Sequence, residues 1–281
     1  MAQSSSSEIP QEVIDGVIDL CSKDRGALKT CSLISRAWSH RARKHLFSTL
    51  MLTSNNLQGW CWIMMTPMPY KGPRKQQSPT SCPPSPYAPL PSHVTSLILA
   101  ASCSQAFSGE FEAGLHLASI HFSAFIHLSS LYLSGVSISF IAFSGAPLEA
   151  TFGSFGKTVR NLRLEVCSLD WKVLAFLKLF TNLEELEIEK NIWVDYKFVR
   201  WTGFPENDTV LRGSFKASGF EDENIRLLDS LSSAKIEYHT ITLGYNSSST
   251  FRQFNNLFAK CKDHLETLVL REAGSAVAVG Q

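Results

Sequence analysis

Apolar residues recur through the chain in two rhythms. Over residues 9–47 they return every three or four positions, the helical period, and over residues 93–270 they alternate in short bursts, the strand period. In the first stretch, Val13, Ile14, Val17, Ile18 and Cys21 make an apolar helix face behind Ile9-Pro10. Pro10 suits a first helical turn, and Glu12 complements the helix dipole there. Residues 9–52 as a whole are expected to form a compact helical unit that ends in a short apolar strand at Leu50-Met51-Leu52.

The second stretch repeats Leu-x-x-Leu-x-Leu or a close relative. It reads Val94-x-x-Leu97-x-Leu99, Leu128-x-x-Leu131-x-Leu133, Val159-x-x-Leu162-x-Leu164, Leu183-x-x-Leu186-x-Ile188 and Leu265-x-x-Leu268-x-Leu270, with Ile241-x-Leu243 before the last. The 57 residues from 186 to 243 leave room for two units, marked weakly by Val210-Leu211. Helical stripes precede two of the units: Trp171, Leu174, Leu177, Leu179 and Phe180 before Leu183, and Phe251, Phe254, Leu257, Phe258 and Cys261 before Leu265. A helix and a short strand, repeated, bury one continuous core as a solenoid. Leucine-rich repeats of roughly 20–29 residues fit several of these intervals, the first two being over-long. Leu162, Leu164, Leu186, Ile188, Leu268 and Leu270 are expected to share that core. An ordinary α/β domain with leucine-bearing strands is the alternative.

The expected organisation is a disordered tail over 1–8, a helical unit over 9–52, a linker over 53–92 with a proline-rich insert at 66–92, a repeat region over 93–270 and a flexible tail over 271–281. Proline fixes φ and removes a backbone donor, so the insert is expected to be extended and poorly packed.

Composition narrows the function classes. Of 281 residues, 44% are hydrophobic, enough for a sizeable core, and 26 basic against 25 acidic residues leave no general attraction for nucleic acid or an anionic membrane. The seven cysteines are odd in number and form no CxxC, which fits reduced, packed thiols and an intracellular chain. The sequons at Asn207 and Asn246 are then chance matches. No Asp, Glu, Lys or Arg lies between Glu112 and Glu149, but alternation at Leu131-Tyr132-Leu133 points to buried sheet rather than a membrane span.

Catalytic and metal motifs are weak. Thr151 to Thr158 ends in Gly-Lys-Thr like a phosphate-binding loop, but it lacks the first glycine and runs into a repeat strand. His116, His121 and His127 are spaced by 5 and 6, which stacks no ligands on one face. Cys261-x-x-His264 is an isolated pair whose cysteine lies on the apolar stripe, and Arg36, Arg41, Arg43, Lys44 and His45 read as a solvated helix face. No catalytic residue, metal ligand or cofactor is expected.

Ile9-Pro10-Gln11-Glu12-Val13-Ile14 through Leu20, the segment Asp24 to Trp38, and Arg41 to Phe47 followed by Leu50-Met51-Leu52 together resemble an F-box. With degenerate leucine-rich repeats behind it, the chain is similar to the large F-box families of filamentous and mushroom-forming fungi. It departs from them in the proline-rich insert and in showing no polar cap after Leu270. The resemblance implies a non-enzymatic adaptor, cytoplasmic and/or nuclear, whose F-box docks on a Skp-type adaptor and through it a cullin. The repeats would take an unidentified protein substrate; neither nucleic acid nor membrane is a partner. Carried over to the docking face are Ile9, Pro10, Val13, Leu28, Leu33, Ile34 and Trp38, whereas Ile14, Ile18 and Leu46 suit the core of the helical unit. The alternative is a leucine-rich-repeat scaffold whose box recruits no ligase.

Overall fold

The computed structural model describes residues 9–53, 90–100, 124–136, 156–169, 173–190, 192–193, 210–218, 228, 231, 234–245 and 248–272. Most of the proline-rich insert, Trp171, His116 and His121 lie outside the described residues.

Three helices open the fold. α1 (Gln11–Leu20) starts at Pro10, whose carbonyl accepts from the N–H groups of Val13 and Ile14 at 3.1 and 3.3 Å. α2 (Arg25–Ile34) is capped by Asp24, whose carboxylate accepts from Gly26 and Ala27 N–H at 2.8 and 3.0 Å. α3 (Arg36–Leu46) follows Ser35 and carries Arg43, Lys44 and His45 in its last turn, where cations suit the dipole. Ile14, Ile18, Leu28, Cys31 and Ala42 form their small core, with Cys21, Trp38 and Leu46 packed against it.

The chain then enters a sheet. Its elements are β1 (Thr49–Thr53), a 3-10 turn at Leu90–His93, β2 (Ser96–Ala100), β3 (Ser130–Ser134), β4 (Asn161–Glu165), β5 (Ser168–Leu169), α4 (Val173–Leu177), β6 (Glu185–Glu189), β7 (Ile192–Trp193), β8 (Val210–Ser218), β9 (Lys235–Tyr245), α5 (Ser248–Cys261) and β10 (Thr267–Glu272). Eight strands pair in the order β1-β2-β3-β4-β6-β8-β9-β10, every pair parallel, and β5 pairs with β7 in a second short ribbon. The architecture is α/β. The strand that leaves α3 is thus the first rung of the main sheet.

Register explains why Leu-x-Leu recurs. Leu50, Leu97, Leu131, Leu162, Leu186, Phe215, Ile241 and Leu268 stand side by side across the sheet, as do Leu52, Leu99, Leu133, Leu164, Ile188, Ala217, Leu243 and Leu270. These two apolar ladders meet Val173, Leu174, Phe176 and Leu177 of α4 and Phe254, Leu257 and Cys261 of α5 in one core. The four transitions from β1 to β6 are made alike, one carbonyl accepting from two successive N–H groups. The Ser48 carbonyl accepts from Thr95 and Ser96 N–H at 2.8 and 2.9 Å, and the Arg160 carbonyl from Glu184 and Glu185 at 2.7 and 3.0 Å. One residue past β3, β4 and β6, Gly135, Val166 and Lys190 take left-handed φ values of 65°, 52° and 50°, and each donates its N–H to the last carbonyl of the next strand.

Three differences from the sequence expectations carry physical reasons. The unit between 186 and 243 registers on Phe215 and Ala217, because β6 pairs only with Ser214–Ser218, while Leu211, ahead of the register slip, lies opposite Ile236 of β9. Leu268 and Leu270 join the ladders but remain 43% and 38% exposed, since among the described residues no further strand covers them. Arg41 and His45 are not simply solvated: Arg41 grips Asp19 through two bonds of 2.8 and 2.5 Å, and His45 Nε2 stands 2.7 Å from the same carboxylate.

The described part of the charge-free stretch, residues 124–136, contains the strand β3, with Leu131 and Leu133 buried. Among the described residues no helix is long and apolar enough to cross a membrane. Gly156 to Thr158 make a turn, and β4 rather than a helix follows it.

Candidate functional site

Among the described residues two extended surfaces and a cleft present chemistry to solvent, and the first surface is on the helical unit. A helix turns 100° per residue, so the apolar run of α1 divides between two directions. Ile14 and Ile18 turn inward, while Val13 and Val17 turn outward with Ile9 and Leu20. On α2, Leu28 and Cys31 turn inward and Leu33 and Ile34 outward. On Ile9, α1 and α2 six large apolar side chains therefore stand exposed, from 41% for Val17 to 88% for Leu20, against three buried large ones, Ile14, Ile18 and Leu28, beside the smaller Cys31 and Ala42. Soluble surfaces scatter single apolar residues, but such a concentration on one small unit marks a place of contact.

The seven residues expected at a docking face fall into three settings. Ile9, Pro10, Val13, Leu33 and Ile34 are exposed. Trp38 is half-buried against the bundle core. Leu28 is 1% exposed and fills that core, so it supports the surface from beneath. Asp19 locks α1 to α3 behind it. Hydrogen bonds from Arg41 and then His45 hold its carboxyl well below the usual carboxylate range.

The second surface is the outward face of the main sheet. Its central row runs Met51, Ile98, Tyr132, Arg163, Glu187, Lys216, Thr242, Val269 in register. The Arg163 guanidinium lies 4.9 Å over the Tyr132 ring and donates to Glu189 at 2.9 Å. Tyr132 donates to Glu165, and Lys216 pairs with Glu187. Burial, followed by the neighbouring Glu189, pushes the Glu165 carboxyl above its ordinary value. This is a mixed-charge patch in which Arg163, Tyr132, Glu165, Glu187, Glu189 and Lys216 are tied to one another.

No family model matches this chain, and no curated protein does.

A cleft of about 490 Å³ opens where β8 and β9 slip register, lined by Arg212, Gly213, Glu237, His239, Asp263, His264, Leu265 and Glu266. The slip leaves His239 without a counterpart on β8. Its signal was present in the sequence: the inward residues of β9 change parity, from Ile236 and Tyr238 to Ile241 and Leu243, which demands one extra residue between them. Within the cleft, Glu237 is held below its ordinary value by Lys235 and Arg212, at 2.6 and 2.8 Å. Among the described residues no group of three His, Cys, Asp or Glu side chains is placed to hold a metal. Burial pushes the Cys167 thiol up to about 12, and it also raises Cys261, whose thiol donates to the Leu257 carbonyl at 3.0 Å. Neither is poised as a nucleophile.

Proposed function

We propose that this protein is a substrate-recruiting adaptor of a Skp-cullin-F-box type ubiquitin ligase, its three helices being an F-box and its parallel stack a degenerate leucine-rich-repeat solenoid. The observation that carries the reading is the division of apolar residues in α1 and α2. A unit with more large apolar side chains outside than inside is one that a partner completes, and the exposed ones include Ile9, Val13, Leu33 and Ile34 of the F-box-like motif. The repeat reading is supported by strand order, by the two ladders and by residues after the strand. Leu162-x-Leu164-x-x-Cys167-x-Leu169 and Leu186-x-Ile188-x-x-Asn191-x-Trp193 follow the leucine-rich pattern in which Asn or Cys stands three residues after the second ladder position.

In this reading the protein performs no chemistry itself and works in the cytoplasm or nucleus. Its helices hold the Skp-type adaptor, and the Arg163–Tyr132 face of the sheet holds a target protein. Co-purification of the full chain with a Skp-type adaptor and a cullin is the test. Stoichiometric recovery of both is the expected result. If neither is recovered, the protein is a repeat scaffold without a ligase.

A further inference from the structure

A net charge near zero conceals a segregation along the chain. From Arg25 to Leu164 the sequence holds twelve Lys and Arg against three Asp and Glu, and the described residues of that span include no Asp or Glu at all. Three of its arginines find carboxylates elsewhere: Arg41 pairs with Asp19, Arg160 with Glu184, and Arg163 with Glu165 and Glu189. Arg36, Arg43 and Lys44 of α3 have no ion pair among the described residues. A helix turns about 100° per residue, so Arg36, His40, Arg43 and Lys44 share one sector of about 100°, on the side away from Ala42 in the core. All four are exposed. His93, on the 3-10 turn that leads to β2, sets its ring against that of His40 with centroids 5.9 Å apart. Burial, and after it His40, Lys44 and His127, hold the His93 imidazole below its ordinary value. Neither α3, that turn nor residues 124–129 carry a carboxylate to offset these cations.

We infer that the outward face of α3, bordered by His93, docks an acidic protein segment in extended form, with a carboxylate at every second residue. Spacing and charge argue for this occupant. Arg36, His40 and Lys44 follow one another about 6 Å apart along the helix axis, and alternate residues of an extended chain lie about 6.6 Å apart on one side. The row is about 12 Å long, the reach of about four extended residues. Its three fixed cations are too few for a nucleic-acid backbone, whose binders neutralise roughly 6–10 phosphates. The middle of the row is histidine, the side chain that gains charge as pH falls toward about 6. An arriving carboxylate favours the protonated imidazoles of His40 and His93, so docking takes up protons and tightens with acidification. None of these residues belongs to the exposed apolar set of α1 and α2, so the inference is independent of the adaptor reading.

Fluorescence anisotropy of the full chain with a labelled peptide of alternating glutamate and serine tests this. Affinity is expected to rise about threefold or more from about pH 7.5 to about 6, and to fall as salt is raised. Arg36→Glu with Lys44→Glu is expected to weaken binding about tenfold or more with an unchanged circular dichroism spectrum. Lys260→Glu with Lys262→Glu, the same change of net charge at the end of α5, is expected to stay within about twofold of the wild type. His40→Gln with His93→Gln is expected to remove most of the rise at low pH. No binding at about pH 6 with peptide up to about millimolar overturns the inference, and so does a loss of affinity that Lys260→Glu with Lys262→Glu reproduces. An affinity that does not change with pH sinks the part given to the histidines. A single-stranded oligonucleotide that binds through Arg36 and Lys44 more tightly than the peptide would assign the face to nucleic acid instead.

Discussion

Gly213 packs its α-carbon against the peptide of Glu184: a side-chain carbon built at Gly213 would stand 2.7 Å from the Glu184 carbonyl carbon, inside van der Waals contact. The same carbonyl accepts from Ser214 N–H at 2.7 Å, so it is held in place by the sheet. Gly213 also has φ of 85°, where side chains are strained. Both constraints fall at the register slip between β8 and β9. A glycine is required there because backbone, not a movable side chain, fills the space.

Gly213→Ala is therefore expected to destabilise the protein by more than about 2 kcal/mol, since the left-handed conformation alone costs roughly 1–2. Gly16, on the exposed side of α1 with nothing within 4 Å of its missing side chain, is the control. Gly16→Ala should stabilise by roughly 0.5–1 kcal/mol through helix propensity. Urea unfolding followed by circular dichroism measures both; equal effects would mean that the Glu184 contact is absent.

The ladders make a graded prediction. Leu186 is fully buried between neighbours on both sides, so Leu186→Ala should cost about 2–5 kcal/mol. Leu268 is 43% exposed at the sheet's edge, and Leu268→Ala should cost about 1 kcal/mol or less. Denaturation midpoints test the difference, and a Leu186→Ala change within error would refute the ladder register.

Asp19 predicts an acid-dependent link between α1 and α3. Its carboxyl is held below the ordinary value of 3.8 by Arg41 and His45, so folding benefits from the charged form. That benefit is complete above the ordinary value and disappears as pH falls through the lowered folded one. Asp19→Asn should melt below the wild type at neutral pH, with the gap closing as the solution is acidified beneath 3.8. The partners are partly solvent-exposed, so the gap should be modest and shrink in salt. A gap that stays constant with pH would show that the ion pair is not its source.

On the helical unit, core and surface should separate cleanly. Leu28→Ala should destabilise it by about 2–5 kcal/mol. Leu33 is 85% exposed, so Leu33→Asp should leave stability within about 0.5 kcal/mol while removing roughly 2 kcal/mol or more of affinity for a Skp-type adaptor. Pro10→Ala with Trp38→Ala should likewise lose the adaptor with little change in helix content, Trp38 adding some loss of melting temperature through its contact with the core. Full adaptor binding by these variants would refute the docking face.

The sequence by itself determined the kinds of element and most of the core. Alternating leucines at repeat spacing can bury their side chains in one way, on a shared sheet face, and Leu97 to Ile188 stand there. The described residues of the stripes ending at Phe180 and Cys261 likewise pack in helices or just beyond them, because a periodicity near 3.6 leaves one face to bury. Tertiary structure decided everything that depends on which neighbour arrives. Val13 and Ile14 are both apolar and adjacent, and only the position of α3 selects Ile14 for the interior. Asp19 meets Arg41 and His45 across 22 and 26 residues of chain, a pairing that no local pattern encodes. Leu243 and Leu270 occupy equivalent ladder positions, yet one is buried and the other 38% exposed, because burial on a sheet belongs to a residue together with the strands on either side of it.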